Sequence, residues 1–272
     1  MASPPSPLPP LSPSPQPNSS AFSPPSSLII VGSGVFGLST AWTLARRDAF
    51  SRCAITIVDR SNPSCPNVFP SPDAASIDSS RIIRADYADP AYAALGAEAQ
   101  VEWRKRDRPT DLGAQGRYHE SGLLLVADQG STRLPKEGVD KSTMTGMDYV
   151  RSSWENALSL ASSGAALADS VRELPDADAI RTRLGTGGTS GSWGYINEGS
   201  GWANAEASMV WLLDRVKETG RVSFVSGKVA SLDHHGTRVT GVRLSDGRSL
   251  SADLIVLAAV SANKGGFPFR ED

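Results

Sequence analysis

One stretch limits what this chain can fold into more than any other: Leu28-Ile29-Ile30-Val31-Gly32-Ser33-Gly34-Val35-Phe36-Gly37. A short apolar run ends in G-x-G-x-x-G and passes at once into a helical pattern, with Leu38, Ala41, Trp42 and Ala45 on one face. A second apolar run, Ala54-Ile55-Thr56-Ile57-Val58, ends in Asp59, 22 residues after Gly37. Strand, Gly-rich turn, helix, strand and terminal acid together make a βαβ unit with the fingerprint of dinucleotide binding.

Each residue type has a physical task. Gly32 permits the tight turn, Gly34 lets a pyrophosphate approach the backbone, and Gly37 lets helix and strand pack closely. Val35 and Phe36 open the helix, where unpaired N–H groups and about half a positive charge face the phosphates. Arg46 and Arg47 sit at the other end, where cations suit the dipole. Asp59 is placed to accept hydrogen bonds from an adenosine ribose, and its charge would repel a 2′-phosphate, which disfavours NADP.

A length of 272 residues allows one large or two modest domains. A formal charge of −2 gives no support for a nucleic-acid partner. The longest apolar run, Leu254 to Val260, is too short to cross a bilayer, so no membrane is expected. Cys53 and Cys65 do not form a disulfide framework, and a reducing, cytoplasmic setting is expected. Nineteen of residues 1–27 are Pro or Ser and none is charged, so that segment reads as a disordered tail, with a proline-rich docking motif as the alternative. It lacks the apolar region of a secretory signal and the arginines of a transit peptide.

Farther along, Ser61 to Asp73 reads as a loop. Arg81 and Arg84 are three apart, which on a helix puts both guanidinium groups on one face. They are suited to a phosphate or carboxylate, and equally to a solvated basic face. Pro90 to Arg106 is expected to be a helix whose stripe Tyr92, Leu95, Ala99 and Trp103 is core. Gly122 to Val126 reads as a strand, and Met147 to Leu160 and Asp176 to Leu184 as helices. A helix is expected to end near Lys217, followed by strands Arg221–Val225, Val239–Leu244 and Leu254–Ala258, the last rejoining the first sheet. His234-His235 falls in an expected hairpin loop, and His119, His234 and His235 show no metal-ligand spacing. Trp193, Trp202 and Trp211 read as packing anchors.

The Gly fingerprint, then Ser79-Ser80-Arg81-Ile82-Ile83-Arg84, then Gly194-Tyr195-Ile196-Asn197 with Gly201-Trp202-Ala203, resembles the monomeric sarcosine oxidase family. That family includes the fungal fructosyl-amino-acid, pipecolate and saccharopine oxidases, within the D-amino-acid-oxidase superfamily. The resemblance implies an FAD enzyme that oxidises the C–N bond of a secondary amine on a small amino-acid-like substrate, with O2 going to hydrogen peroxide. It implies that Gly32, Gly34, Val35, Phe36, Gly37, Asp59 and Arg60 bind the ADP part, and that Ser80 and Arg81 lie near the flavin and pyrophosphate. It implies also that Val229, in a Gly227-Lys228-Val229 turn, meets the adenine, and that Arg84 holds the substrate carboxylate. Arg81 and Arg84 are thus the candidate catalytic residues, with FAD as cofactor, no metal, and a monomer expected.

The sequence also departs from the family. Where relatives continue the last strand as Ala-Gly-Ala-Trp, this chain reads Ala258-Ala259-Val260-Ser261 and runs into Lys264 to Asp272. The family's C-terminal half, with its flavin-linked cysteine and oxygen-activating lysine, has no counterpart, nor has the peroxisomal signal of many relatives. A truncated oxidase is therefore expected, with a catalytically inactive FAD-binding remnant as the alternative and exposed strand edges as a liability. The expected fold is α/β: a Rossmann-like FAD-binding domain in two pieces, 28–90 and 201–260, interrupted by a partial α+β substrate domain, 91–200. Residues 1–27 and 261–272 are assigned to the two tails.

Overall fold

The computed structural model describes residues 23–61, 69–71, 74–129, 144–164, 166–167, 169–188 and 190–259. The expectations for residues 1–22, for most of the loop 61–73 with Cys65, and for residues 260–272 lie outside those described.

The first βαβ unit comprises β1 (Ser27–Val31), α1 (Val35–Ala45) and β2 (Ala54–Asp59). There follow β3 (Arg81–Ile83), α2 (Pro90–Arg104), β4 (Tyr118–His119), β5 (Leu123–Ala127) and α3 (Gly146–Ser162). Next come β6 (Val171–Leu174), α4 (Ala177–Leu184), β7 (Trp193–Asn197), β8 (Gly201–Ala203) and α5 (Ala205–Glu218). The chain closes with β9 (Val222–Ser226), β10 (Val229–His235), β11 (Arg238–Leu244), β12 (Ser249–Ser251) and β13 (Leu254–Leu257).

Strands far apart in sequence make one parallel sheet in the order β13-β1-β2-β9. Both faces are covered, which is why β1 is apolar and buried continuously from Leu28 to Val31 rather than alternating. Leu28, Ile30, Ile55 and Ile57 meet Leu38, Ala41, Leu212 and Val216 of α1 and α5 on one side. Ile29, Val31 and Val58 meet Val229, Val242 and Leu244 of the antiparallel β10-β11-β12 meander on the other. Each fully buried aliphatic chain contributes about 1.5–3 kcal/mol. The expected α/β, Rossmann-like sheet is present, and its final strand does rejoin the first.

The residues between carry two small antiparallel sheets, β3-β8-β4 and β5-β7-β6. Helix α3 lays Val150 and Ala157 on Trp193 and Tyr195 of the second sheet, and Trp154 meets Trp193 edge-on at 5.5 Å. Thr145 and Asp148 form a reciprocal capping box at the start of α3. The Thr145 backbone and hydroxyl donors lower the pKa of the Asp148 carboxyl. The carboxylate of Asp89 caps α2, with Pro90 at its first turn.

Several expectations are corrected. Arg81–Ile83 is a strand, not a helix, so Arg81 and Arg84 do not share a face. The α2 stripe is not core: Tyr92 and Leu95 are 63% and 60% exposed, Ala99 is exposed, and Ala93, Ala97 and Gln100 are buried instead. The cause is close backbone packing, since a Cβ on Gly96 would lie 2.5 Å from the Arg84 carbonyl oxygen. Only the small-residue face of α2 fits there. Val229 opens β10 rather than sitting in a turn, and His234-His235 end that strand, leaving Gly236 (φ +63) as the turn. Ser27, assigned to the tail on composition, is the first residue of β1. The Gly- and aromatic-rich segment 191–207 holds β7, β8 and the Asn204 cap of α5.

Candidate functional site

At the C-terminal end of β1 the three fingerprint glycines differ in what surrounds them. Gly32 has φ +107, donates its N–H to the Val58 carbonyl oxygen at 2.8 Å, and would put a Cβ 2.9 Å from the Ala258 carbonyl oxygen. At Gly37 a Cβ would lie 1.9 Å from the Gly32 carbonyl oxygen. Both glycines are required by the protein's own packing. Gly34 is different: a Cβ there would meet nothing within 4 Å. It is the N-cap of α1, which has no side-chain cap, so the first-turn N–H groups of Val35 and Phe36 have no intrahelical partner.

That open side is the mouth of a cavity of about 200 Å³, lined by Ser33, Gly34, Val35, Phe36, Asp59 and Ser61 among others. One Asp59 oxygen accepts the Ser33 N–H at 2.6 Å, and the other accepts the Ser61 N–H at 2.8 Å and its hydroxyl at 2.6 Å. A carboxylate offers about four acceptor positions, so three are used in bracing the loop and one is left for a ribose hydroxyl. Arg60 follows on the exposed end of β2. Val229 lies on the same side: the Gly227 N–H donates to the Asp59 carbonyl oxygen at 2.8 Å, and Val229 pairs with Leu244. The structure thus gathers Gly32, Gly34, Val35, Phe36, Gly37, Asp59 and Val229 at one end of the parallel sheet.

Ala75 also lines this cavity, and its carbonyl oxygen accepts from Arg81 Nη2 at 2.6 Å. Arg81 further pairs with Asp78, and Ser80 is exposed just before β3. Three residues of extended chain, roughly 10 Å, then carry the backbone from Arg81 to Arg84. Ile82 lies between them, 61% exposed. The half-buried Arg84 guanidinium lies 4.6 Å over the Tyr87 ring and donates to the Tyr149 hydroxyl at 3.4 Å. Both contacts leave most of its five donors uncommitted.

What holds Arg84 is a net of buried polar groups around Asp86, which is wholly buried. Its carboxylate accepts from the Tyr195 hydroxyl at 3.0 Å, Asn197 Nδ2 at 3.0 Å and the Ser200 hydroxyl at 2.6 Å. Burial first, then the Asp86 charge and its hydrogen bond, push the Tyr195 phenol far above its usual range, so it stays a donor. Gln100 donates to the Gly199 carbonyl oxygen at 3.0 Å and to Ser200 Oγ at 3.2 Å, and Asn156 donates to the carbonyl oxygens of Tyr87 and Ala88 at 3.0 Å each. Sequence reasoning missed this net. Asp86 and Tyr87 stand directly after the arginine pair, yet nothing local marks them as anchored, and Tyr149, Tyr195 and Asn156 are distant in sequence.

Other candidates take structural places. His119 stacks on Trp202 at 4.2 Å, and Trp211 meets Trp42 at 5.8 Å. Cys53 is a buried free thiol whose pKa is raised by burial. Among the described residues no His/Cys/Asp/Glu group is arranged to hold a metal, and no helix is long and apolar enough to cross a membrane.

Comparison with known proteins agrees with this geometry. The sequence profile of the DAO family, described as FAD dependent oxidoreductase, matches residues 27–266. The chain is 35% identical to the amino acid oxidase imqH of Aspergillus flavus, with 86% of this chain and 52% of that protein covered. It is 36% identical to the amino acid oxidase fsqB of Aspergillus fumigatus, covering 86% and 48%. Its fold is similar to that of Aspergillus fumigatus fructosamine oxidase (Amadoriase II), with a TM-score of 0.61 at 26% identity over 86% of this chain and 49% of that one. The chain spans about half the length of the curated relatives it matches.

Proposed function

Because the chain belongs to the DAO family of FAD-dependent oxidoreductases, we propose that it forms the FAD cradle and part of the substrate pocket of an amine oxidase. The substrate class is a secondary amine carrying a carboxylate, such as sarcosine, pipecolate, saccharopine or a fructosyl amino acid. The observation that carries the reading is Gly34. It is the one fingerprint glycine whose lack of a side chain the protein itself does not need, and it faces an uncapped helix start. A pyrophosphate needs that space.

The residues present fit FAD. Gly34, Val35 and Phe36 would offer N–H groups to its phosphates, Asp59 an acceptor to its ribose, and Val229 its backbone to the adenine. Bound FAD would supply two-electron redox chemistry, with the amine's C–N bond oxidised to an imine, which water would hydrolyse, and O2 reduced to hydrogen peroxide. Arg84 binds and orients the substrate carboxylate through paired donors, the positioning part of catalysis. The Tyr87 ring and the Tyr149 hydroxyl fix the guanidinium in place, and Asp86 holds the segment that carries it. Arg81 ties β3 to the cavity wall at Ala75.

The test is the visible absorption spectrum of the purified chain, before and after acid precipitation. We expect a flavin spectrum that passes to the supernatant, followed by peroxide release with one of the four amines. A colourless protein that takes up no FAD overturns the reading and leaves a remnant without a working cradle.

A further inference from the structure

Arg84 is held on one face and at one nitrogen, and the rest of its guanidinium is open. The guanidinium carbon lies 4.6 Å over the Tyr87 ring, and Nη2 donates to the Tyr149 hydroxyl at 3.4 Å. Among the described residues Arg84 pairs with no carboxylate: Asp86, two residues on, is turned inward to Tyr195, Asn197 and Ser200. A half-buried guanidinium without a counter-ion is set to receive one.

Tyr149 brings more than an anchor to that place. A phenol has one proton and two lone pairs, and the contact with Arg84 uses a lone pair. The proton is left, since among the described residues the Tyr149 hydroxyl donates to nothing. The hydroxyl is also firmly placed. Tyr149 stands in the first turn of α3, where the Thr145–Asp148 capping box fixes the helix start, and its N–H donates to the Thr145 carbonyl oxygen at 3.0 Å. Its carbonyl oxygen accepts the Ser153 hydroxyl at 2.8 Å, and its ring packs against the cluster of Val150, Ala157, Trp193 and Tyr195.

Two donor atoms 3.4 Å apart can each lie about 2.7–2.9 Å from one carboxylate oxygen, the range of charge-assisted hydrogen bonds. Nη2 has a second proton for that oxygen. The proton it gives to Tyr149 polarises the phenol O–H, which strengthens the bond the phenol makes in turn.

We propose that Tyr149 is a substrate-binding residue, whose hydroxyl and Arg84 together clamp the carboxylate of the amine substrate. This rests on the proposed role of Arg84 and adds to it a direct donor from α3. A clamp made only of donors takes a free carboxylate and rejects an amide, whose N–H would face them, so free amino acids are favoured over peptides.

The experiment uses the full chain, supplied with FAD and carrying tyrosine labelled with carbon-13 at Cζ. The probe is pipecolate, and the control is piperidine, the same ring without its carboxyl group. Five tyrosines give five signals, assigned by substitution. The Tyr149 signal is expected to move on addition of pipecolate and to stay on addition of piperidine. Tyr149→Phe keeps the packed ring and should leave the melting temperature unchanged, while the dissociation constant for pipecolate rises about tenfold, as loss of a hydrogen bond to a charge implies. The decisive variant joins Tyr149→Phe with Arg84→Ala. If the hydroxyl touches the substrate, the Phe replacement weakens pipecolate further, by about threefold or more, in a chain that already lacks Arg84. If it only steadies the guanidinium, the replacement changes nothing there, and the proposal is overturned. Pipecolate affinity indifferent to Arg84→Ala overturns the role of Arg84 together with the clamp. A chain that takes up no FAD yet shows the Tyr149 shift upholds the clamp and overturns the FAD cradle alone.

Discussion

Two regions carry the proposed chemistry, and they are made differently. At the fingerprint the geometry lies in the backbone: Gly32 and Gly37 are enforced by carbonyl oxygens 2.9 and 1.9 Å from a hypothetical Cβ, and the neighbours that enforce them are mostly local or on the adjoining strand. Around Arg84 the geometry lies in side chains, with Tyr195, Asn197 and Ser200 reaching Asp86 from 109 to 114 residues away. A backbone site tolerates no added methyl group at its packed glycines, Gly32 and Gly37, yet needs few specific side chains. A side-chain site has the opposite weakness, and removing one central acceptor strands every donor that points at it.

The sharpest way to break the comparison is at the glycines. Gly37→Ala is expected to cost more than about 3 kcal/mol and to abolish FAD binding, because helix and turn must separate. Gly34→Ala should leave stability within about 0.5 kcal/mol yet weaken FAD at least tenfold, roughly 1.4 kcal/mol. Urea unfolding and flavin fluorescence titration read the two effects, and equal destabilisation by both would sink the distinction.

The side-chain region is probed by Asp86→Ala, which leaves three buried donors without an acceptor and should cost about 3 kcal/mol or more. Tyr118→Phe is its counterweight. The Tyr118 hydroxyl is buried without a hydrogen-bond partner among the described residues, and burial pushes its pKa up to about 12. Removing that hydroxyl should change stability by no more than about 0.5 kcal/mol. If Asp86→Ala unfolds at the native urea concentration, the net does not hold the Arg84 segment.

The smallest effect concerns Asp253, which joins the start of β1 to the start of β13. Its carboxylate accepts from the backbone N–H and the hydroxyl of both Ser26 and Ser27. The hydroxyls of Ser26 and then Ser27 hold its pKa below the ordinary 3.8. A depressed pKa in the folded chain means stabilisation that is fully present above the unfolded value and fades as pH falls through the folded one. The melting temperature of Asp253→Asn should therefore lie below that of the native chain at about pH 6, and the gap should close on acidification to about pH 2.5. A gap independent of pH would assign the effect to packing.

Legibility in the sequence followed the same divide. The βαβ unit, the return of Leu254 to the first sheet and the glycine-built end were readable because period, turn chemistry and spacing are local signals. The α2 face was misread because Ala93, Ala97 and Gln100 gain their burial from close approach and from Gly199 and Ser200, which no apolar periodicity announces. Arg81 and Arg84 were recognised as a pair, but the one-face relation that a helix would give them does not hold, since Arg81–Ile83 is a strand. The net that fixes Arg84 was invisible for a simpler reason: its members meet only after the chain has folded.

The Asp253 clamp also sets an order in time. Strand β1 lies between β2 and β13, and its start is held by a residue 227 positions downstream. At synthesis rates of about 5–20 residues per second, that partner leaves the ribosome roughly 10–45 s after Ser26. Until then β1, apolar from Leu28 to Val31, has one edge open, and the central sheet can close only after β13 has been made. The nascent chain thus has a long interval in which a chaperone, rather than a neighbouring strand, must cover β1.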